Sequence, residues 1–436
     1  MAAAGSAVPE RTAGEPGVHR RAWTVVALLV LFMAINFMDK VVLGLAGKHV
    51  RADLGLSDTA FGAIGSAFFL LFSVSGVAVG FVTDRIGARR LVGVLVALWS
   101  VSQLAVAVPG AGLAVLLGTR VTLGAAEGPA FGLASHTAFG WFPDRRRGLA
   151  ANLLSVGAAA GVAVGGPLLA AVISGPGWRT AFALTGVLGL LWLLAWAKFG
   201  AEGPYNAQTS GGGRRGQERG DFRVPYRRLL TRPSILAGLA CGFAGFWLLA
   251  VAITWMPQFM QRVHGYTLQD AGLLAAGTQV VGIGVILAFA AASQRILRRG
   301  GTGRAARGVL GGAAILVSGA ALLLVSRIGG GAPLVLALMV AFTFAHPFFG
   351  FVQAAVAQIA PTRQRAAALG VVTAVASTAG AVGPAVTGAL VDRAGSDAAG
   401  FQHAFDLTGV LLLIGGVLAV AFVNPERDSF QEGNTL

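Results

Sequence analysis

The apolar residues of this chain come in blocks of roughly 18–25, each long enough to cross a hydrocarbon core of about 30 Å at ~1.5 Å per residue. Blocks of that length leave little choice of fold, because backbone in lipid must satisfy its own polar groups and does so as helix. The rest of the composition agrees. Only 12% of the 436 residues are charged, against about 25% in a soluble domain, and the mean hydropathy is +0.73. The formal net charge of +15 does not indicate nucleic acid, since the basic residues fall in short tracts between apolar blocks rather than on one face of a soluble domain. Cys241 stands alone, which excludes a disulfide framework and a cysteine metal site.

Twelve spans are expected, near 22–46, 58–82, 91–108, 112–140, 148–174, 179–199, 234–260, 268–291, 308–325, 333–357, 365–391 and 405–424. An even number puts both ends of the chain on one side. With those ends inside, 25 Lys and Arg residues fall in cytoplasmic pieces and 6 in outer loops, so the positive-inside rule predicts cytoplasmic termini. The expected organisation is a cytoplasmic tail (1–21), a six-helix bundle (22–199), a cytoplasmic linker (200–233), a second bundle (234–424) and a cytoplasmic tail (425–436). The linker contains Gly211-Gly212-Gly213-Arg214-Arg215 and reads as flexible.

The two bundles repeat. Pro129-Ala130-Phe131-Gly132 recurs as Pro347-Phe348-Phe349-Gly350, and Pro143-Asp144-Arg145-Arg146-Arg147 as Pro361-Thr362-Arg363-Gln364-Arg365. Gly166-Pro167 matches Gly383-Pro384. Gly55, Ser57 and Gly62 keep their spacing in Gly265, Thr267 and Gly272. Partners run in the same chain direction, which predicts a parallel repeat about an axis along the membrane normal, with a central cavity between the halves.

Four residues inside the spans demand compensation: Asp39, Lys40, Arg120 and Glu127. Each charge near mid-bilayer costs roughly 2.5–3.5 kcal/mol on insertion scales, so four unpaired ones would cost on the order of 10–14 kcal/mol. Arg120 and Glu127 are seven apart and share one helix face. Asp39 and Lys40, about seven residues from the outer end of their span, lie at a similar depth to Arg120. The four are expected to form one neutral cluster, with Lys40 binding a substrate carboxylate and Glu127 or Asp39 carrying a proton. A purely architectural ion-pair network is the alternative, but buried ion pairs are a poor source of stability. By the repeat, Asp39 and Lys40 align near Leu249 and Ala250, so the charge chemistry is assigned to the first half. His346, Asn152, Gln279, Gln353 and Trp255 are further pocket candidates.

Gly80-Phe81-Val82-Thr83-Asp84-Arg85-Ile86-Gly87-Ala88-Arg89-Arg90 resembles the Gly-x-Leu-Ala-Asp-Arg-x-Gly-Arg-Arg signature of the major facilitator superfamily, departing at Val82, Thr83 and Ala88. The corresponding loop of the second half, Ser293-Gln294-Arg295, lacks the acid. The resemblance implies an all-α membrane protein of twelve transmembrane helices in two pseudo-symmetric six-helix bundles, and gating roles for Asp84, Arg85, Arg89 and Arg90. Asn36-Phe37-Met38-Asp39-Lys40 and Arg120-Val121-Thr122-Leu123-Gly124-Ala125-Ala126-Glu127 look like the Asn-Tyr-Leu-Asp-Arg and Arg-x-x-x-Gly-x-x-Glu of the anion:cation symporter family. Trp141-Phe142-Pro143 and Gly177-Trp178-Arg179 are similar to its loop motifs. That resemblance runs from about residue 30 to 195. It implies symport of a small organic anion with protons or sodium, with Asn36, Lys40 and Arg120 on the substrate, in a bacterial inner membrane and as a monomer. Phe37 and Lys40 depart from its tyrosine and arginine.

Other classes fit less well. None of the three lysines precedes Ser or Thr, so the phosphate-cradling loop of an ATP-driven pump is missing. No nucleophile–base set, metal cluster or cofactor motif appears, which argues against an enzyme. A proton-coupled exporter of lipophilic compounds and a transporter-like ligand sensor stand as alternatives. All three tyrosines (Tyr205, Tyr226, Tyr266) fall in expected loops. The spans therefore offer few partners for the hydroxyls of a sugar acid, and a carboxylate with an apolar or aromatic body is favoured.

Overall fold

The computed structural model describes residues 16–142, 144–204, 224–361 and 364–430. The described residues are almost entirely helical: Pro16–Leu54, Asp58–Ile86, Ala88–Ala107, Leu113–Glu127 with Ala130–Phe139, Asp144–Ser174 and Trp178–Phe199 form the first six spans. Pro233–Val263, Leu268–Arg298, Arg304–Val309 continuing as Leu310–Val325, Gly331–Thr343 with His346–Ile359, Arg365–Arg393 and Asp397–Phe422 form the second six. Among the described residues, eleven helices are individually long and apolar enough to cross a membrane. The fourth span, split into Leu113–Glu127 and Ala130–Phe139, is not among them. Of the expected linker, residues 205–223 lie outside the described part, as do residues 1–15 and 431–436 of the expected tails.

Both tenth and fourth spans break at the repeated prolines. Pro129 and Pro347 have no N–H to donate and crowd the carbonyl four residues back. The helices accordingly stop at Glu127 and Thr343 and restart at Ala130 and His346. The repeat is equally visible at the second and eighth spans. Gly55 and Gly265 turn the chain at φ of 61° and 69°. Ser57 and Thr267 then cap the helices that follow, accepting from Ala60 N and Asp270 N.

Several spans are longer than their apolar blocks. The first continues past Ala46 to Leu54, the seventh reaches Val263, and the twelfth starts at Asp397. Lys48, Arg51 and Arg262, taken as loop charges from sequence, are therefore helical. Charged side chains tolerate helix geometry well once they clear the hydrocarbon, so apolar length underestimates helix length.

The halves touch through the repeated glycines. The second span crosses the eleventh so closely that a Cβ on Gly62 would lie 2.3 Å from the Pro384 carbonyl oxygen. At the equivalent crossing of the fifth and eighth spans, Gly166 and Gly272 face one another, and a Cβ on either would lie 2.7 Å from the other's carbonyl oxygen. Both crossings lie toward the face opposite the one that bears Pro16 and Pro425. We call these the far face and the terminal face. Cross-half hydrogen bonds and ion pairs run from the far face to Ser73 and Ser377, whose hydroxyls meet. We read this as a bundle closed at the far face and open between the halves toward the terminal face.

Within the first half, the fourth span leans on the second: a Cβ on Gly124 would sit 1.7 Å from the Phe68 carbonyl oxygen. Gly124→Ala is expected to cost roughly 1–3 kcal/mol by overpacking and to lower the thermal unfolding midpoint in detergent. Gly118→Ala, where a Cβ meets open space, should leave the midpoint unchanged or slightly raised.

Candidate functional site

Lys40 and Asp39 are adjacent on the first span and so point about 100° apart. That divergence splits the four expected charges into two layers. Lys40 turns toward the opening between the halves with its side chain 14% exposed, and its Nζ lies 2.6 Å from Glu127 Oε2, which is sealed. The same ammonium donates to Asn36 Oδ1 and sits over the Phe37 and Phe68 rings, 4.6 and 5.9 Å from their centroids. Glu127 ends the first piece of the fourth span, one residue before Gly128. Gly124 and Gly128 bring this part of the fourth span against the second, where a Cβ on either would meet the carbonyl oxygen of Phe68 or Phe72.

Asp39 turns inward, fully buried. Its polar neighbours are Gln103 of the third span and Thr185 of the sixth, with Glu127 and Arg120 as the nearby charges. Arg120 is likewise buried inside the first half. Its Nη2 lies 3.4 Å from Gln103 Oε1, and its guanidinium lies over Phe182 at 5.1 Å. Among the described residues neither Asp39 nor Arg120 has an ion-pair partner within 4 Å, whereas Lys40 and Glu127 are in direct contact. Because the first span continues to Leu54, Lys40 lies about 21 Å from its far-face end, deeper than its apolar block implied.

The second-half candidates are scattered. Trp255 is fully buried, donates its Nε1 to the Pro384 carbonyl at 3.0 Å and packs on Phe61 and Phe401. It is part of the far-face seal rather than of the opening, because the indole bridges the seventh and eleventh spans. Gln279 is half-buried two turns from Gly272, on the face of the eighth span that meets the first half. Asn152 is exposed four turns from Gly166, on the corresponding face of the fifth span. His346 restarts the tenth span with its imidazole against Gly282, and Gln353 is exposed two turns further on.

At the terminal face, Arg85, Arg89 and Arg90 are exposed, and the Asp84 side chain lies outside the described part. Arg89 bonds within its own half, its Nη2 donating to the Ala197 carbonyl at 2.8 Å and its backbone N–H to Glu202 Oε1 at 3.2 Å.

Sequence reasoning missed Gln103 and Thr185. Gln103 had a signal, being an amide within a span that is otherwise almost wholly apolar. Thr185 had none, since hydroxyls in spans commonly bond their own helix, as this one does to Phe182 O at 3.1 Å.

Comparison with known proteins fits this geometry. The sequence model of the Major Facilitator Superfamily matches residues 29–351 and 332–435. The chain is 28% identical over 410 residues to the hexuronate transporter of Bacillus subtilis, covering 91% of this chain and 94% of that one. It is also 26% identical over 283 residues to the D-galactonate transporter of Escherichia coli, covering 60% and 64%. Among solved structures, an inward-facing, unoccupied bacterial homologue of the human lysosomal transporter Spinster superposes with a TM-score of 0.77 at 18% identity, covering 96% of this chain and 100% of that chain. The D-xylose–proton symporter follows at 0.74 and 15% identity, covering 94% and 99%. At these identities the structural matches show the fold alone.

The contact between Lys40 and Glu127 makes their losses interdependent. Lys40→Ala leaves a sealed carboxylate without its cation and is expected to cost roughly 3–5 kcal/mol, while adding Glu127→Gln to it restores much of the loss. A double-mutant cycle by thermal unfolding reads this coupling, and strictly additive losses would show that the pair does not interact.

Proposed function

Because this chain belongs to the major facilitator superfamily of membrane transporters, we propose that it is a secondary active carrier of a small organic anion, coupled to protons and working by alternating access. The observation that carries this reading is the pairing of Lys40, partly open to the space between the halves, with Glu127, sealed behind it at 2.6 Å. A substrate carboxylate arriving in the opening competes with the Glu127 carboxylate for one ammonium. A proton on Glu127 removes that competitor and frees Lys40 for the substrate. Proton and anion then enter together, and the site never holds an unpaired charge in low dielectric.

Asp39 is the second proton site in this scheme, coupled to Glu127 through their mutual repulsion and through Arg120. Arg120, buried behind the pair, acts on the substrate through the field it sets at Asp39 and Glu127. Sodium is the rival co-ion. The protein is placed in a bacterial inner membrane as a monomer with the terminal face cytoplasmic, as the Lys/Arg bias indicates, so the conformation described here is inward-open. The Asp84–Arg90 loop then serves as the gate of the opposite, outward-open state.

Anion transport is supported by the similarity to the hexuronate and D-galactonate transporters. The body of the substrate is a separate question. Phe37 and Phe68 flank Lys40, and Phe69 and Phe72 pack on Phe68, which suits an apolar or aromatic carboxylate, whereas Asn36, Asn152, Gln279, His346 and Gln353 are what the chain offers to hydroxyls. A thermal-shift panel of hexuronate, galactonate, short aliphatic acids and aromatic acids decides between them. Stabilisation by no carboxylate in the panel would contradict the anion-carrier reading.

Coupling is tested in proteoliposomes. Glu127→Gln mimics the protonated acid permanently. This variant is expected to retain counterflow exchange near the wild-type rate and to lose accumulation under an imposed pH gradient. Asp39→Asn measured alongside identifies which acid couples, since the coupling residue is the one whose loss abolishes accumulation and spares exchange. Normal accumulation by both variants would remove proton symport from this site.

A further inference from the structure

Away from Lys40 and Glu127, the densest set of charges lies where the halves meet at the far face. Asp58, the first residue of the second span, is buried. Its Oδ1 lies 2.6 Å from Arg262 Nη1 and 3.0 Å from Arg51 Nη2, and its Oδ2 lies 3.1 Å from Arg262 Nη2. The Nε edge of the same guanidinium binds Asp397 Oδ2 at 2.8 Å. Asp392, near the end of the eleventh span, accepts the backbone N–H groups of Asp58 and Thr59 at 2.9 and 2.6 Å. These contacts sort into two kinds. Arg262 to Asp58, and Asp392 to the start of the second span, cross between the halves. Arg51 to Asp58 stays within the first half, and Arg262 to Asp397 within the second.

We propose that the Arg262–Asp58 pair is a reversible latch that closes the far face, and that Arg51 and Asp397 are retaining partners that keep both latch charges paired when it opens. The inference rests on alternating access but not on the identity of the substrate or co-ion. A latch made of one isolated pair would leave an arginine and an aspartate without a counter-charge each time the halves separated, whereas the closed form would alone hold them paired. Here the split leaves Arg51–Asp58 on one half and Arg262–Asp397 on the other, each a complete ion pair. Arginine suits the shared position because its planar fork presents separate edges to two carboxylates at once, which a lysine ammonium cannot do with the same geometry. Asp392 adds a carboxylate to the positive end of the second span's helix, an interaction that exists only while the halves are in contact. The result is a two-state element whose closed form gains cross-half bonds and whose open form loses no neutralisation.

The single cysteine of the chain supplies a clean background for the test. Cys241→Ala removes it, and Thr254→Cys installs a reporter at a buried position packed on Gly65 and Gly44 inside the far-face seal. Maleimide labelling in lipid nanodiscs, accessible from both faces and without substrate, reads how often the seal opens. Arg262→Gln is expected to raise the labelling rate roughly tenfold, as a shift in the closed–open equilibrium. Arg51→Gln removes a contact within one half and is expected not to raise it. If Arg262→Gln fails to reach the membrane, Asp58→Asn breaks the same cross-half pair from the other side and is expected to give the same rise. Unchanged labelling in the cross-half variant, or an equal rise in Arg51→Gln, would overturn the latch. Because no substrate is present, either outcome is independent of the anion-carrier reading.

Discussion

An ionised group in hydrocarbon must find a counter-charge, and the contact of Lys40 with Glu127 is where this protein meets that constraint most tightly. The ammonium is only partly open, the carboxylate is sealed, and each is the other's direct ion-pair partner. Removing one without a substitute leaves a buried charge worth several kcal/mol of destabilisation. Any anion that binds Lys40 must therefore arrive with something that neutralises Glu127. In the proposed scheme, coupling of substrate to a cation follows from where two side chains sit, before any family likeness is considered.

The surrounding helices are arranged to keep that pair in place. The fourth span ends its first piece beside Glu127 because Pro129 cannot continue the helix, and it leans on the second span because Gly124 and Gly128 have no side chain to hold it off. Behind the pair, Asp39, Arg120 and Gln103 bury a second acid and a second base within the first half. In front of it, the far face is shut by glycine-to-backbone crossings at Gly62–Pro384 and Gly166–Gly272. Flat, side-chain-free contacts of this kind can part and rejoin without repacking a core, which is what two rigid halves rocking about a fixed site require.

Much of this was legible in the sequence, for stated physical reasons. The insertion cost of four intramembrane charges singled out Asp39, Lys40, Arg120 and Glu127. The repeated Gly-Pro pairs pointed to equivalent positions that turn out to make equivalent contacts. Other features were not legible. That Asp39 and Lys40 face opposite ways follows from helix rotation, but which one meets the opening depends on how the first span is turned by its neighbours. Trp255 is a pocket candidate from sequence, and only the position of Pro384 shows its N–H already engaged. Arg262 lies past the end of an apolar block and Asp58 at a helix start, and their pairing was not legible because they stand some two hundred residues apart in sequence.

The central claim is that an anion and a proton together replace the Lys40–Glu127 ion pair, and proton linkage on binding tests it most directly. Calorimetric titration of the purified carrier with its tightest-binding carboxylate, in two buffers of different ionisation enthalpy, counts the protons taken up per anion bound. The account predicts an uptake approaching one proton at neutral pH in the wild type, falling toward zero in Glu127→Gln while binding persists. Binding with no proton uptake in the wild type, or the same uptake in the variant, would contradict it.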